Sequence, residues 1–165
     1  MGVDIPTEAL TYGEPVQQVV VEQCVSKSAD KHNFDPILLL AILDVEGGNK
    51  GAVIRNSSNG SHDLGPGQIN TIQFKERWFK KEYPNITWQQ LSMDVCLNIE
   101  VAGRVLKQRL NELKPNQSFW NAVGNYHSKT ASYKLIYLQK VMKAYRIRTE
   151  HEGGGFKMSW TESND

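Results

Sequence analysis

The stretch "PILLLAILDVE" (36–46) constrains this chain more than any other. Ile37 to Val45 is apolar round nearly the whole circumference of a helix, and such a helix is buried on most sides. It is too short to span a bilayer, which takes about 20 apolar residues. Asp35-Pro36 supplies a start signal, with proline in the first turn, and Gly47-Gly48 a stop signal. The rest of the chain has to fold around it.

Helical spacing dominates elsewhere. Glu14-Pro15 opens a helix running to about Lys31, with Val16, Val19, Val20 and Cys24 inward. "TIQFKERWFKKEY" reads as helical and ends before Pro84; Thr87 suits the cap of a short turn, and Ser92 the cap of a long helix to about Leu113. Residues 118–128 form a short apolar helix, followed by "SYKLIYLQKVMKAY" with Tyr133, Ile136, Tyr137 and Val141 on one face. Residues 48–69 break the pattern. There Asn59-Gly60 suits a type I′ turn that would pair "AVIRN" with "SHDLG". The expected architecture is one mainly α domain over residues 14–147 with a short β-hairpin or irregular loop segment. Residues 1–13 read as a loose leader and 148–165 as a flexible tail. A chain of 165 residues is long enough to bury a proper core.

Composition removes several functions. A net charge of +1 and a pI near 7.8 give no basic surface for nucleic acid. No run is long enough for membrane insertion, and a monomer is expected. "MGVDIPTEAL" lacks the charged and apolar regions of a signal peptide, and Pro6 breaks the myristoylation pattern. The chain is therefore either cytosolic or a mature exported form. His32, His62, His127 and His151 are scattered without ligand spacing, so no metal or other cofactor is expected. Cys24 and Cys96 each fall on the apolar side of a helical pattern. They read equally as two buried thiols or as a helix-to-helix disulfide, which export would favour.

Chemistry concentrates in two places. Glu46 ends the buried helix; partial burial and the negative helix terminus both favour its protonated form. A carboxylic acid that holds its proton is what glycosidic-bond cleavage requires. The competing reading has Glu46 in water or paired with Lys50 or Arg55. Asp44, two positions away, faces another direction. The second place is the polar loop "NGSHDLGPGQIN" (59–70), which gathers Asp63, Gln68 and Asn70 among glycines and a proline.

Four stretches occur in order: "FDPILLLAILDVEGG", "NSSNGSHDLGPGQIN", "DVCLNIEVAGRVL" and "FWNAVGNYHSKT". Together they resemble the soluble lytic transglycosylase family, in particular its small members associated with type IV secretion, conjugation and related export machines. The resemblance covers residues 15–145. It implies a lysozyme-like (goose-type) fold and cleavage of peptidoglycan glycan strands between N-acetylmuramic acid and N-acetylglucosamine. It places the catalytic glutamate at Glu46 and matches the family's Gly-Leu-Met-Gln loop to Gly65, Pro66, Gly67 and Gln68, with Gln68 as a substrate-binding amide. It matches the Ala-Tyr-Asn segment to Asn125, Tyr126 and His127, with the Tyr126 phenol near the glutamate. It further implies a periplasmic or exported protein, partners in a secretion or conjugation apparatus, and a cysteine pair like Cys24 and Cys96. Two departures stand out: Gly47 replaces the family's serine, and Pro66-Gly67 replaces Leu-Met.

On this reading the loop faces Glu46 across a groove and binds sugar substituents through Gly65, Gly67, Gln68, Asn70 and Asp63, with Tyr126 and His127 as further substrate-binding residues. Core packing is the better role for Trp78, Trp88 and Trp120. Glu46 alone suffices for a transglycosylase. If Asp63 were a second carboxylate, about 6.5–9.5 Å away with room for water, the enzyme would be a hydrolytic goose-type-like lysozyme. Turn-building is the preferred role for Asp63. A non-catalytic peptidoglycan-binding subunit is the third reading.

Overall fold

The computed structural model of the chain describes residues 3–151. They comprise α1 (Gln18–His32), α2 (Pro36–Glu46), β1 (Val53–Arg55), β2 (His62–Leu64) and β3 (Ile69–Asn70), then α3 (Arg77–Glu82), α4 (Trp88–Met93), α5 (Val95–Asn111), α6 (Phe119–His127) and α7 (Ala131–His151). Two short 3₁₀ turns, Thr7–Ala9 and Thr71–Lys75, complete the set. The chain divides into two compact units: one built from residues up to Cys24 and Glu46–Val101, the other from Val25–Val45 and residues from Ala102 onward.

The mainly α architecture with a small β-segment is as the sequence predicts. In the second unit, α2 is buried continuously from Ile37 to Leu43. Its Leu38, Ala41 and Ile42 form one cluster with Leu106, Val123, Tyr137 and Val141. Each fully buried leucine or isoleucine contributes roughly 1.5–3 kcal/mol by leaving water. Asp35 starts α2 as expected, its Oδ1 accepting the Ile37 N–H at 2.8 Å.

In the first unit β1, β2 and β3 form an antiparallel sheet in that order, with Val53 opposite Leu64 and Leu64 opposite Ile69. The expected pairing of the first two strands is present, but their turn is not type I′. That turn needs positive φ at both central residues, and only Gly60 has it (φ 71°). The connection is instead a longer loop closed by the Asn56 N–H to Ser61 carbonyl bond, 2.8 Å. Strand β3 went unpredicted because two residues carry no readable alternation.

Several element boundaries differ from expectation. Glu14 pairs with Lys50 as an isolated bridge, so Pro15 lies outside a helix that begins only at Gln18. Val19 is 54% exposed; Cys24, Val25, Ser28 and Ala29 form the buried stripe of α1. Within the segment expected to be a loose leader, Ile5 is buried and Thr11 pairs with Val53 through backbone bonds of 2.9 and 3.2 Å. Backbone pairing of this kind leaves no side-chain pattern to read. Thr87 caps α4 in a full capping box with Gln90. Ser92 is buried inside that helix, and Asp94 caps α5 by accepting the Leu97 N–H. On α7, Tyr137 and Val141 point inward but Tyr133 and Ile136 are 63% and 53% exposed. The inward stripe instead continues through Ala144 and Tyr145, the i+3 and i+4 neighbours of Val141. Helix α7 also runs past Ile147, and Arg148 donates to both oxygens of Asp44, one bond at 2.7 Å. The remainder of the expected tail, residues 152–165, lies outside the described residues.

The alternative left open for the cysteines is decided. Cys24 of α1 and Cys96 of α5 form a disulfide with Cα atoms 4.9 Å apart. Cys24 is buried, whereas Cys96 is exposed rather than on the apolar side.

Candidate active site

Glu46 is the last residue of α2 and is half-buried. The two glycines after it have different tasks. Gly47 is exposed at φ 63° with open space around its Cα, so it is needed for its left-handed backbone, which ends the helix. A serine at this φ would be strained. Gly48 is needed for room. A Cβ on it would lie 2.8 Å from Pro66 O and from Gln68 Nε2, and closer still to Gly65 O. The backbone two residues beyond Glu46 is thus packed directly onto the turn that carries Gln68.

That turn is built from the residues sequence reasoning singled out. The Gln68 N–H donates to Gly65 O at 3.1 Å, closing a four-residue turn with Pro66 in its second position. Gln68 has φ 49°, one of two positive values outside glycine among the described residues. Its side-chain Nε2 donates to the same Gly65 oxygen at 2.9 Å. Non-glycine residues in this region are enriched at ligand-binding positions, where surrounding structure over-determines the strain. Pro66 and Gly67 are buried, as is Gly65. The close backbone approach expected at Gly67 is seen at Gly48 and at Gly65, where a Cβ would lie 2.9 Å from Leu91 O.

Asp63 and Asn70 face each other across β2 and β3. Asp63 Oδ1 accepts from Asn70 Nδ2 at 2.9 Å, and Oδ2 accepts from Asn56 Nδ2 at 3.0 Å. Asn70 Nδ2 also donates to Ser61 Oγ (2.9 Å), while Asn70 Oδ1 caps the 3₁₀ turn by accepting the Ile72 N–H (2.9 Å). Asp63 thus bonds within the hairpin, while Asn70 ties the hairpin to the 3₁₀ turn that follows it. A carboxylate held by two amides is fixed in orientation, which suits a framework role.

Glu46, Asp63, Gly65, Gly67, Gln68 and Asn70 all lie in the first unit, whereas Tyr126 and His127 belong to α6 of the second unit. Tyr126 is partly buried against the α2–α6–α7 cluster. The His127 ring stacks on Tyr137, centroids 4.8 Å apart and planes 9° apart. At the opposite end of α2, burial raises the Asp35 carboxyl above its ordinary value despite bonds from the Ile37 N–H and the Tyr145 hydroxyl. The Tyr145 hydroxyl is itself pushed up by burial and by the neighbouring Asp35 charge.

Sequence reasoning missed Asn98, Asn56 and the steric role of Gly48. Asn98 was detectable. On α5 it shares the stripe of Val101, Ala102, Val105 and Leu106, all buried, at spacings of 3, 4, 7 and 8. An amide on a core-facing stripe demands partners. No group of histidine, cysteine, aspartate or glutamate among the described residues could hold a metal ion.

Comparison with known proteins adds the family. The model of the transglycosylase SLT domain matches residues 23–146. The chain is 30% identical over 127 residues to the invasion protein IagB of Salmonella typhimurium, covering 74% of this chain and 75% of the relative. It is 29% identical over 132 residues to the protein IpgF of Shigella flexneri, covering 77% and 82%.

Proposed function

The chain belongs to the transglycosylase SLT domain family, whose members are peptidoglycan lytic transglycosylases, and from that premise we propose that Glu46 is the single acid and base of the reaction. Its protonated carboxyl gives the proton to the glycosidic oxygen between N-acetylmuramic acid and N-acetylglucosamine, and the C1–oxygen bond breaks. The resulting carboxylate takes the proton of the muramic acid 6-hydroxyl, whose oxygen closes on C1. The products are a 1,6-anhydro end and a free 4-hydroxyl, with no water consumed. Attack from within the same sugar has the advantage of proximity over an incoming water. Gln68 contacts the sugar substituents. Tyr126 and His127, on α6, match the family's Ala-Tyr-Asn segment and are proposed as substrate-binding residues on that ground alone.

The observation that carries a one-carboxylate mechanism is the state of Asp63, whose two oxygens are each occupied by an asparagine amide of the hairpin. These two bonds orient the carboxylate within the hairpin, which favours a framework role over activating water. We therefore assign Asp63 and Asn70 to holding the hairpin, and prefer transglycosylation to goose-type hydrolysis.

The deciding experiment is mass spectrometry of fragments released from purified sacculi. Anhydro ends, one water lighter than reducing ends, are expected from the wild-type protein and from Asp63→Asn, and none from Glu46→Gln. Reducing ends abolished by Asp63→Asn would replace this reading with hydrolysis. Wild-type rates in Glu46→Gln would leave the protein without its acid.

We place this activity outside the cytoplasm. The Cys24–Cys96 disulfide fits an oxidising compartment. The biological setting we propose is local opening of the wall for a secretion or invasion apparatus, in keeping with the name of the Salmonella relative.

A further inference from the structure

Asn98 is fully buried, and its amide bonds main-chain groups of three separate segments. Nδ2 donates to Leu64 O at the end of β2 and to Leu91 O on α4, both at 2.8 Å. Oδ1 accepts the Gly67 N–H at 2.7 Å. Both amide hydrogens and one acceptor position are thereby used. The loop cannot supply these bonds itself: Pro66 has no N–H, and the Gly65 carbonyl already takes two donors from Gln68. Gly65 is fitted to the same amide, since a Cβ there would lie 2.9 Å from Asn98 Cγ.

We infer that Asn98 is a positioning residue for Gln68, clamping the turn at Gly67 so that the next residue is held at its left-handed φ of 49°. Without the clamp, Gln68 can relax to the ordinary backbone region and its amide turns away from the place it now occupies beside Gly48. This deepens the transglycosylase reading and rests on Gln68 as a substrate contact.

Asn98→Asp is the informative variant. It keeps the size of the side chain and the acceptor for Gly67, but turns a carboxylate oxygen toward the Leu64 and Leu91 carbonyls. The three hydrogen-bond partners are uncharged main-chain groups, so none offers the new charge a counter-ion. At neutral pH, kcat/KM on soluble glycan fragments should fall by roughly tenfold or more, the scale of one lost buried hydrogen bond. The ratio of variant to wild-type activity should rise as pH falls, because a protonated carboxyl again donates to one carbonyl. A general folding defect would recover on protonation too, so thermal melts on the same preparations should show the variant fully folded at the assay temperature and neutral pH. In the Gln68→Ala background the same change should cost nothing further, the signature of two residues acting as one. Wild-type activity at neutral pH, or a loss that multiplies with that of Gln68→Ala, overturns the inference. Anhydro products from the wild type then leave the reaction itself standing. A wild type that releases no anhydro ends removes both. Should the variant not fold, amide exchange in the wild type decides: the Gly67 N–H is expected to be strongly protected, and rapid exchange refutes the clamp.

Discussion

Replacing Gly48 by alanine tests whether the backbone after Glu46 and the Gln68 turn are packed as one piece. The added methyl would sit 2.8 Å from Pro66 O and Gln68 Nε2, against an ordinary separation of about 3.5 Å. One side must retreat by at least about 0.7 Å, and the still closer Gly65 oxygen is main chain and cannot rotate aside. Overpacking of this kind costs about 1–3 kcal/mol, or a fall in Tm of roughly 2–12 °C for a domain of this size. Activity should fall more steeply than stability, because a misplacement of about 1 Å costs on the order of 100-fold in rate. Gly60→Ala is the contrasting control. Unlike Gly48, Gly60 has a left-handed φ (71°), and its nearest neighbour is a flexible arginine tip at 3.7 Å. It should lose about 1–2 kcal/mol to backbone strain and keep its rate. The assay is release of soluble glycan fragments from sacculi, measured with thermal melts on the same preparations. Wild-type rate and Tm in Gly48→Ala would refute the claim that this contact sets the geometry beside Glu46.

Three further outcomes are expected. Cys24→Ser with Cys96→Ser opens a link spanning 72 positions and should cost about 4 kcal/mol on the chain-entropy account, read as a drop in Tm of about 10 °C that reductant reproduces in the wild type. Because burial raises the Asp35 carboxyl in the folded protein, its favourable contribution is complete below the unfolded value of 3.8 and is lost as pH climbs through the higher folded value; Asp35→Asn should remove that slope from a plot of Tm against pH while preserving the cap. Glu112 behaves oppositely: burial pushes it up, but Arg109 and Lys129 hold it below the usual range, so its contribution disappears as pH falls through the folded value, and Glu112→Gln should flatten the acid limb of the same plot.

The local features of this chain were readable because their causes are local. The continuous burial of α2, its start at Asp35-Pro36 and its end at Gly47 follow from neighbours within one turn. So do the Thr87 capping box and the pairing of the two strands around Asn59-Gly60. The order of four short stretches was enough to point to the family whose model matches residues 23–146. Boundaries failed where a backbone partner arrived from afar, as when Lys50 captured Glu14 and Val53 captured Thr11.

What only the tertiary structure decided concerns why the residues around Glu46 and Gln68 are what they are. Gly48 reads as a helix stop until the turn at Gly65–Gln68 is laid against it. The Asn56 and Asn70 amides that hold the two Asp63 oxygens, on which its proposed framework role rests, leave no mark in the local sequence pattern. Asn98 lies 34 positions from Leu64, whose carbonyl it satisfies, and 31 from Gly67. Periodicity and capping are fixed by interactions a few residues long and are written into the sequence, whereas hydrogen bonds and steric limits between distant segments exist only once the chain has brought them together.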